Sequence, residues 1–140
     1  YEGIVIRNME GLYKQGRCTL REANGWKLKR WSDHEAEVLD MIPLQHNANE
    51  AFTNELGQQK RSKAKAGLVE MQTMGKLLVK DIETGKVFKI GSGFTQKDRD
   101  WWFNEGESGM VITYKKFAHG EVKAPRMPIY KGLRMKEDIS

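Results

Sequence analysis

The chain has 140 residues, 39% of them hydrophobic, enough for one compact domain with its own core and a smaller piece beside it. Lys and Arg number 24 against 19 Asp and Glu, a net charge of +5 that favours a polyanionic partner without naming one. A lone Cys18 excludes an internal disulfide framework and suits a reducing, cytoplasmic setting; no stretch approaches the length of a membrane span. The start at Tyr1-Glu2-Gly3, with neither an initiator Met nor a signal-peptide layout, is expected of a piece cut from something longer.

Tyr1 to Arg7 is short, β-branched and apolar between charged ends, and reads as a buried strand. Asn8, Gly11, Gly16 and Asn24-Gly25 then supply turn chemistry. Trp26-Lys27-Leu28-Lys29-Arg30-Trp31 alternates strictly, so as a strand it presents Lys27 and Lys29 on one face and Trp26 and Leu28 on the other. Ser32-Asp33 breaks that alternation, which places a boundary there: residues 1–32 form one unit, residues 33–140 another, with Asp33 as the expected hinge.

A new strand is predicted from Glu35 to Leu44. From Gln45 to Gly75 the periodicity lapses, Asn and Gln gather, and the basic run Lys60-Arg61-Ser62-Lys63-Ala64-Lys65 appears; so long a polar segment inside a compact domain is functional or mobile. Strands resume at Lys76 to Ile82 and Lys86 to Ile90 around a Glu83-Thr84-Gly85 turn. Thr95, with Asp98 following it, caps a helix to Glu105 that offers Trp101, Trp102 and Phe103 to a sheet, and Gly106 stops it. Gly109 to Phe117 alternates as a strand, and prolines keep Ala124 to Tyr130 extended. The fold class is therefore mainly β with one helix: five strands, the helix before the fourth, forming a small, partly open barrel of the OB type.

Taken in order, these strings resemble the motifs of small viral ATP-dependent DNA ligases of the Chlorella virus type. Glu2-Gly3-Ile4-Val5-Ile6-Arg7 looks like nucleotidyltransferase motif IV, and Trp26-Lys27-Leu28-Lys29 looks like motif V. Between them, Tyr13-Lys14-Gln15-Gly16-Arg17 resembles the stretch that follows motif IV in that family. Pro125-Arg126-Met127-Pro128, through Gly132-Leu133-Arg134, to Glu137-Asp138 resembles motif VI. The resemblance covers essentially the whole chain. It implies that residues 1–32 end a nucleotidyltransferase (adenylation) domain, that the OB domain follows, and that the insertion at about 45–74 is a latch, a β-hairpin that closes around duplex DNA.

In such an enzyme an adenylyl group passes from ATP to a protein lysine, then to a DNA 5′-phosphate, and AMP is finally displaced by a 3′-hydroxyl. Each step develops negative charge on phosphate oxygens, which fixed cations and a divalent metal offset. The resemblance implies that Lys27 and Lys29 bracket the α-phosphate and that Glu2 is a ligand for Mg2+ (or Mn2+). It further implies that Arg126 and Asp138 orient the pyrophosphate leaving group, with Arg134 as a further phosphate contact. Lys60, Arg61, Lys63 and Lys65, with Arg7, Lys14 and Arg17, are the expected contacts to nicked double-stranded DNA. The OB domain is expected to swing about Asp33 between a position facing ATP and one lying on DNA.

His34, His46 and His119 lack partners at ligand spacing, so histidine metal binding is not expected. The family's Lys-x-Asp-Gly nucleophile string does not occur in these residues, so adenylation is expected to need an upstream adenylation-domain segment, and this stretch alone to be inactive. The expected setting is a monomer acting in DNA replication or repair, in the host cytoplasm if the source is viral. Two alternatives remain. A stand-alone OB module for single-stranded nucleic acid would also be basic, but would not need Glu2, the lysine pair or a motif VI tail. The mRNA-capping guanylyltransferases share the two-domain plan, yet the Tyr13-Lys14 to Arg17 stretch and the long insertion favour the ligase.

Overall fold

The computed structural model describes residues 2–134. Two short strands come first, β1 (Gly3–Arg7) and β2 (Gly25–Lys29), paired antiparallel with Gly3 opposite Lys29 and Arg7 opposite Gly25. The sequence reading made β1 buried; instead Ile4, Val5 and Leu28 are 66%, 64% and 56% exposed. The physical reason is that a two-stranded ribbon cannot bury both of its own faces, and no other described element covers it.

The barrel strands are β3 (Trp31–Asn47), β6 (Leu68–Asp81), β7 (Val87–Ile90), β8 (Val111–Phe117) and β9 (Arg126–Arg134), in the sheet order β7-β6-β3-β8-β9. A parallel bridge between Ser92 and Ile129, with the Tyr130 N–H donating to Ser92 O at 2.9 Å, brings the two outer strands together. The barrel is therefore nearly, but not wholly, closed, which disposes of most of the unpaired sheet edge. Inside lie Ala36 and Val38 from β3, Met74, Leu77 and Val79 from β6, Phe88 and Ile90 from β7, Ile112 and Tyr114 from β8, and Tyr130 from β9. Apart from Met74, which lies at the irregular stretch before Lys76, the paired members within each strand are two residues apart, as the alternation read from the sequence requires.

Helix α1 (Gln96–Glu105) follows β7. Its predicted cap is a capping box: Thr95 Oγ1 accepts from the Asp98 N–H at 3.2 Å and Asp98 Oδ2 accepts from the Thr95 N–H at 2.8 Å. Trp102 is buried and meets Tyr130 edge-on, while Trp101 is 40% exposed, so only part of the aromatic cluster is core.

β3 curves around the barrel through register shifts on either side of Pro43. Pro43 has no N–H to donate to the ladder. Opposite it, Arg99 of α1 donates from Nη1 to the carbonyls of Met74 and Gly75 at 3.0 and 2.8 Å, and from Nη2 to Gly91 O at 3.0 Å. One buried-side guanidinium thus satisfies backbone acceptors that the bulged ladder leaves over.

β3 and β6 run on past the barrel as a long antiparallel pair, ending with Asn47 opposite Leu68. At its tip sits a second hairpin, β4 (Ala51–Thr53) with β5 (Gln59–Arg61), so the polar insertion is an ordered double hairpin. Both barrel strands are longer than the sequence pattern shows, because their outer ends bury no apolar face and so carry no alternation.

Candidate active site and nucleic-acid interface

Four of the predicted site residues meet. The β1–β2 register sets Lys27 and Lys29 on one face of the ribbon, and Glu2, just ahead of β1, reaches across to both: Lys29 Nζ donates to Glu2 Oε1, and Lys27 Nζ lies 3.8 Å from the same oxygen. Arg126, at the start of β9, brings its Nη1 within 3.7 Å of that oxygen. Bonding to Lys29, followed by the charge of Lys27, holds the Glu2 carboxyl below its ordinary value.

An aromatic pair backs this cluster. Trp31 stacks on Phe117 at 3.8 Å between centroids, and Lys29 Nζ sits 4.6 Å from the Phe117 ring centre, with the Arg126 guanidinium 6.0 Å away. Phe117 is buried, so these cations rest on a fixed surface whose quadrupole favours them. Sequence reading missed Phe117, which looks there like one more apolar strand residue.

The remaining predicted residues that are described do not join the cluster. Arg134 lies at the other end of β9 from Arg126, about 26 Å along a strand of that length, and pairs through Nε with Glu35 at 3.0 Å. Asp138 falls outside the described residues. Arg7 ends β1 away from Glu2, Arg17 is exposed in the connection to β2, and Lys14 bonds to Glu22, lowering that carboxyl to about 2. Asp33, the expected hinge, is a paired strand residue opposite Lys115 and bonds to Lys131 at 2.6 Å. The interruption between the ribbon and the barrel is Arg30 alone, the residue between β2 and β3.

Lys60, Arg61, Lys63 and Lys65 are all exposed on the inserted hairpin. A second cationic surface that sequence reading did not single out is a groove of the barrel lined by Lys76, Lys89, Gly91, Ser92, Met127, Pro128 and Ile129. Met127 there is 59% exposed with a φ of 50°, held in the left-handed region beside Arg126. Nothing in the sequence hints at it, since a residue before proline, as Met127 is before Pro128, is ordinarily extended.

Among the described residues no three His, Cys, Asp or Glu side chains group as a metal site, and no helix is long and apolar enough to cross a membrane. Glu2 is a single hard oxygen ligand beside cations. That is compatible with a Mg2+ held mostly by phosphate oxygens and water, and not with a metal held by the described residues alone.

A barrel of this strand order, with a hairpin inserted between its first two strands and a helix before its fourth, is an OB fold, and its cationic cluster and basic hairpin suit a phosphate-rich ligand. Residues 69–134 match the family model for the DNA ligase OB-like domain. Over nearly its whole length the chain is similar to part of several DNA ligases. A structure of Chlorella virus DNA ligase-adenylate shares 34% identity across 98% of this chain and 42% of its own, with a TM-score of 0.55. A second structure of that adenylate shares 31% across 95% and 41%, with a TM-score of 0.50. A Lig E DNA ligase, described as binding DNA with a minimal scaffold, shares the fold at 24% identity over 93% of this chain and 39% of its own, with a TM-score of 0.61. The chain therefore spans about two fifths of the length of these ligases. No curated protein matches its sequence.

Proposed function

We propose that this chain is the C-terminal part of an ATP-dependent DNA ligase that seals nicks in duplex DNA, with Glu2, Lys27, Lys29 and Arg126 on the phosphate side of its active site. The observation that carries the reading is the meeting of three cations from two separate parts of the fold on one carboxylate oxygen. Three positive charges against one negative leave two uncompensated, a standing attraction for phosphate.

A nucleotide phosphate entering the cluster exchanges with the Glu2 oxygen as partner of Lys29 and Arg126. Lys29, braced on Phe117, and Lys27 then meet the charge that builds on the α-phosphate, and Arg126 offers a planar fork to the leaving pyrophosphate. Bound Mg2+ or Mn2+ supplies further charge neutralisation at the phosphate oxygens, with Glu2 as its one ligand from this cluster. In the family-like scheme Asp138 works with Arg126 on the leaving pyrophosphate, whereas Arg134, at the other end of β9 and paired with Glu35, takes no part at these phosphates. The lysine that accepts the adenylyl group belongs to an upstream segment that also covers the exposed faces of β1 and β2.

In the second half of the cycle the barrel turns at Arg30 and lays the Lys76–Lys89–Met127 groove on nicked duplex, while Lys60, Lys63 and Lys65, with Arg7, Lys14 and Arg17, hold phosphates. The working form is a monomer, acting in replication or repair in the cytoplasm.

The test follows the two chemical stages separately in the protein with its adenylation segment: adenylyl transfer to protein, and sealing of an already adenylated nick. Lys29→Ala is expected to slow both stages on the order of 100-fold, and Arg126→Ala to slow only the first by a similar factor. Equal losses for Arg126→Ala in both stages would remove Arg126 from the ATP-facing role, and no loss for Lys29→Ala would end the reading.

A further inference from the structure

The basic run on the inserted hairpin is not chemically uniform, although its members look alike in sequence. Lys60, Lys63 and Lys65 are exposed, and no hydrogen bond or ion pair to their side chains is seen among the described residues. Arg61 is different: its Nη1 donates to the Asn49 carbonyl at 2.7 Å. Asn49 in turn is half-buried at the root of the hairpin, and its Nδ2 faces Asn47 Oδ1 at 2.8 Å, Ser62 O at 2.9 Å and Ala64 O at 3.1 Å. Asn47 Nδ2 reaches Ser62 O as well, at 2.8 Å, and Asn47 Oδ1 also accepts from the Asn49 N–H at 3.1 Å. Two asparagines and one arginine thus tie the outgoing strand to the returning segment that carries the lysines.

Gly67 closes this hub from the other side. Its carbonyl accepts from the Ala48 N–H at 2.8 Å, and a Cβ at 67 would overlap the Asn49 side-chain amide. The need is for room and not for an unusual backbone angle, since Gly67 is not among the positive-φ glycines. An alanine there would push out the amide that three acceptors hold.

A small hairpin with exposed faces has little apolar burial to fix its shape. Phe52 at its tip is 53% exposed and Leu56 is 80% exposed, so packing does not do it. Hydrogen bonds at the hub are what the structure offers instead.

We propose that Asn49, with Asn47, Arg61 and Gly67, is a positioning hub that presets the inserted hairpin before DNA arrives, and that Arg61 serves this hub and not a phosphate. The proposal rests on the ligase reading only in its second half, the consequence for DNA binding. Hub residues then act on affinity through preorganisation, while Lys60, Lys63 and Lys65 act through charge.

Salt dependence separates the two. Each phosphate contact contributes about 0.9 to the slope of log binding constant against log salt on duplex DNA. The lysine variants Lys60→Ala, Lys63→Ala and Lys65→Ala are each expected to lower the slope by about that amount. Asn49→Ala and Gly67→Ala remove no charge, and are expected to weaken binding to a nicked duplex roughly tenfold at one salt concentration with the slope unchanged. Arg61→Ala should behave like Asn49→Ala; a slope falling as for the lysines would make it a phosphate contact and overturn its assignment.

Limited trypsin digestion of the DNA-free chain gives an independent reading, because the basic run supplies its own cleavage sites. Asn49→Ala and Gly67→Ala should be cut within 60–65 roughly tenfold faster than the unaltered chain, with cleavage elsewhere unchanged. Equal rates would overturn the hub. Faster cleavage with unaltered duplex affinity would overturn its positioning role. If the unaltered chain binds no duplex, the ligase reading fails at this surface and takes the positioning role with it, while the digestion result still decides whether the hub presets the hairpin.

Discussion

Replacing Tyr114 with Phe removes one hydroxyl and nothing else, from the middle of the barrel. Asp81, at the end of β6, is fully buried; its Oδ2 accepts from the Tyr114 hydroxyl and its Oδ1 from the N–H groups of Glu83 and Thr84, both at 2.8 Å. Burial works against the charge, but the bonds from Tyr114 and from the two amides outweigh it and hold the Asp81 carboxyl below its ordinary value. The same burial and the same bond push the Tyr114 hydroxyl up.

A hydrogen bond to a charged group contributes about 1.5–3 kcal/mol, so Tyr114→Phe should lose that much at pH 7. In urea this is a fall of roughly 1 M in midpoint with an unchanged m value. The sign with pH follows from the direction of the Asp81 shift. A carboxyl with a lowered folded value adds stability above its unfolded value, and that contribution disappears as pH falls through the folded one. Losing Tyr114 as donor raises the folded value, so the gap between the two proteins should be widest near neutrality and narrow in acid. A midpoint unaltered at pH 7, or a gap equally wide at pH 3, would refute the role given to this pair.

Two further outcomes are open to measurement. Lys14→Ala should raise the Glu22 carboxyl from about 2 towards the ordinary carboxylate range, read by a carboxyl-carbon NMR titration, because the Lys14 bond is the largest influence on it and the Thr19 N–H the next; an unmoved titration would leave Lys14 free to serve DNA without releasing Glu22. Gly93→Ala should cost roughly 2–4 kcal/mol, because φ is +91° there and a Cβ would overlap Tyr130 O, whereas Gly85→Ala, at φ +72° in open space, should cost only about 1–2 kcal/mol; thermal unfolding of the two variants side by side checks the difference.

Much of the barrel was legible because its strands are half-buried. Leu77, Val79 and Asp81, or Ile112 and Tyr114, are buried two residues apart with less buried residues between them, and that period is written in the sequence. The helix was equally plain, since Thr95 and Asp98 form its cap from local spacing alone. The ligase-like strings were legible as strings: Glu2, the Lys27-Lys29 pair and Arg126 were named from the order of short motifs.

Local pattern could not show that these residues converge. Arg126 reaches Glu2 only because β9 returns beside β8 and begins near Phe117, and Arg134 is carried away from them to the other end of the same strand. A boundary was read at Asp33 because alternation breaks there, whereas pairing with β8 carries β3 through it and Arg30 is the residue between β2 and β3. The inserted hairpin lies beyond sequence pattern for a related reason: it is held by side-chain amides bonding to backbone carbonyls, which leave no periodic trace. Sequence by itself determined the charge, the strand faces and the chemical types at the site. Tertiary structure decided which of the cations share one carboxylate and which of the basic run are free to meet a phosphate, because both depend on contacts between residues far apart in the chain.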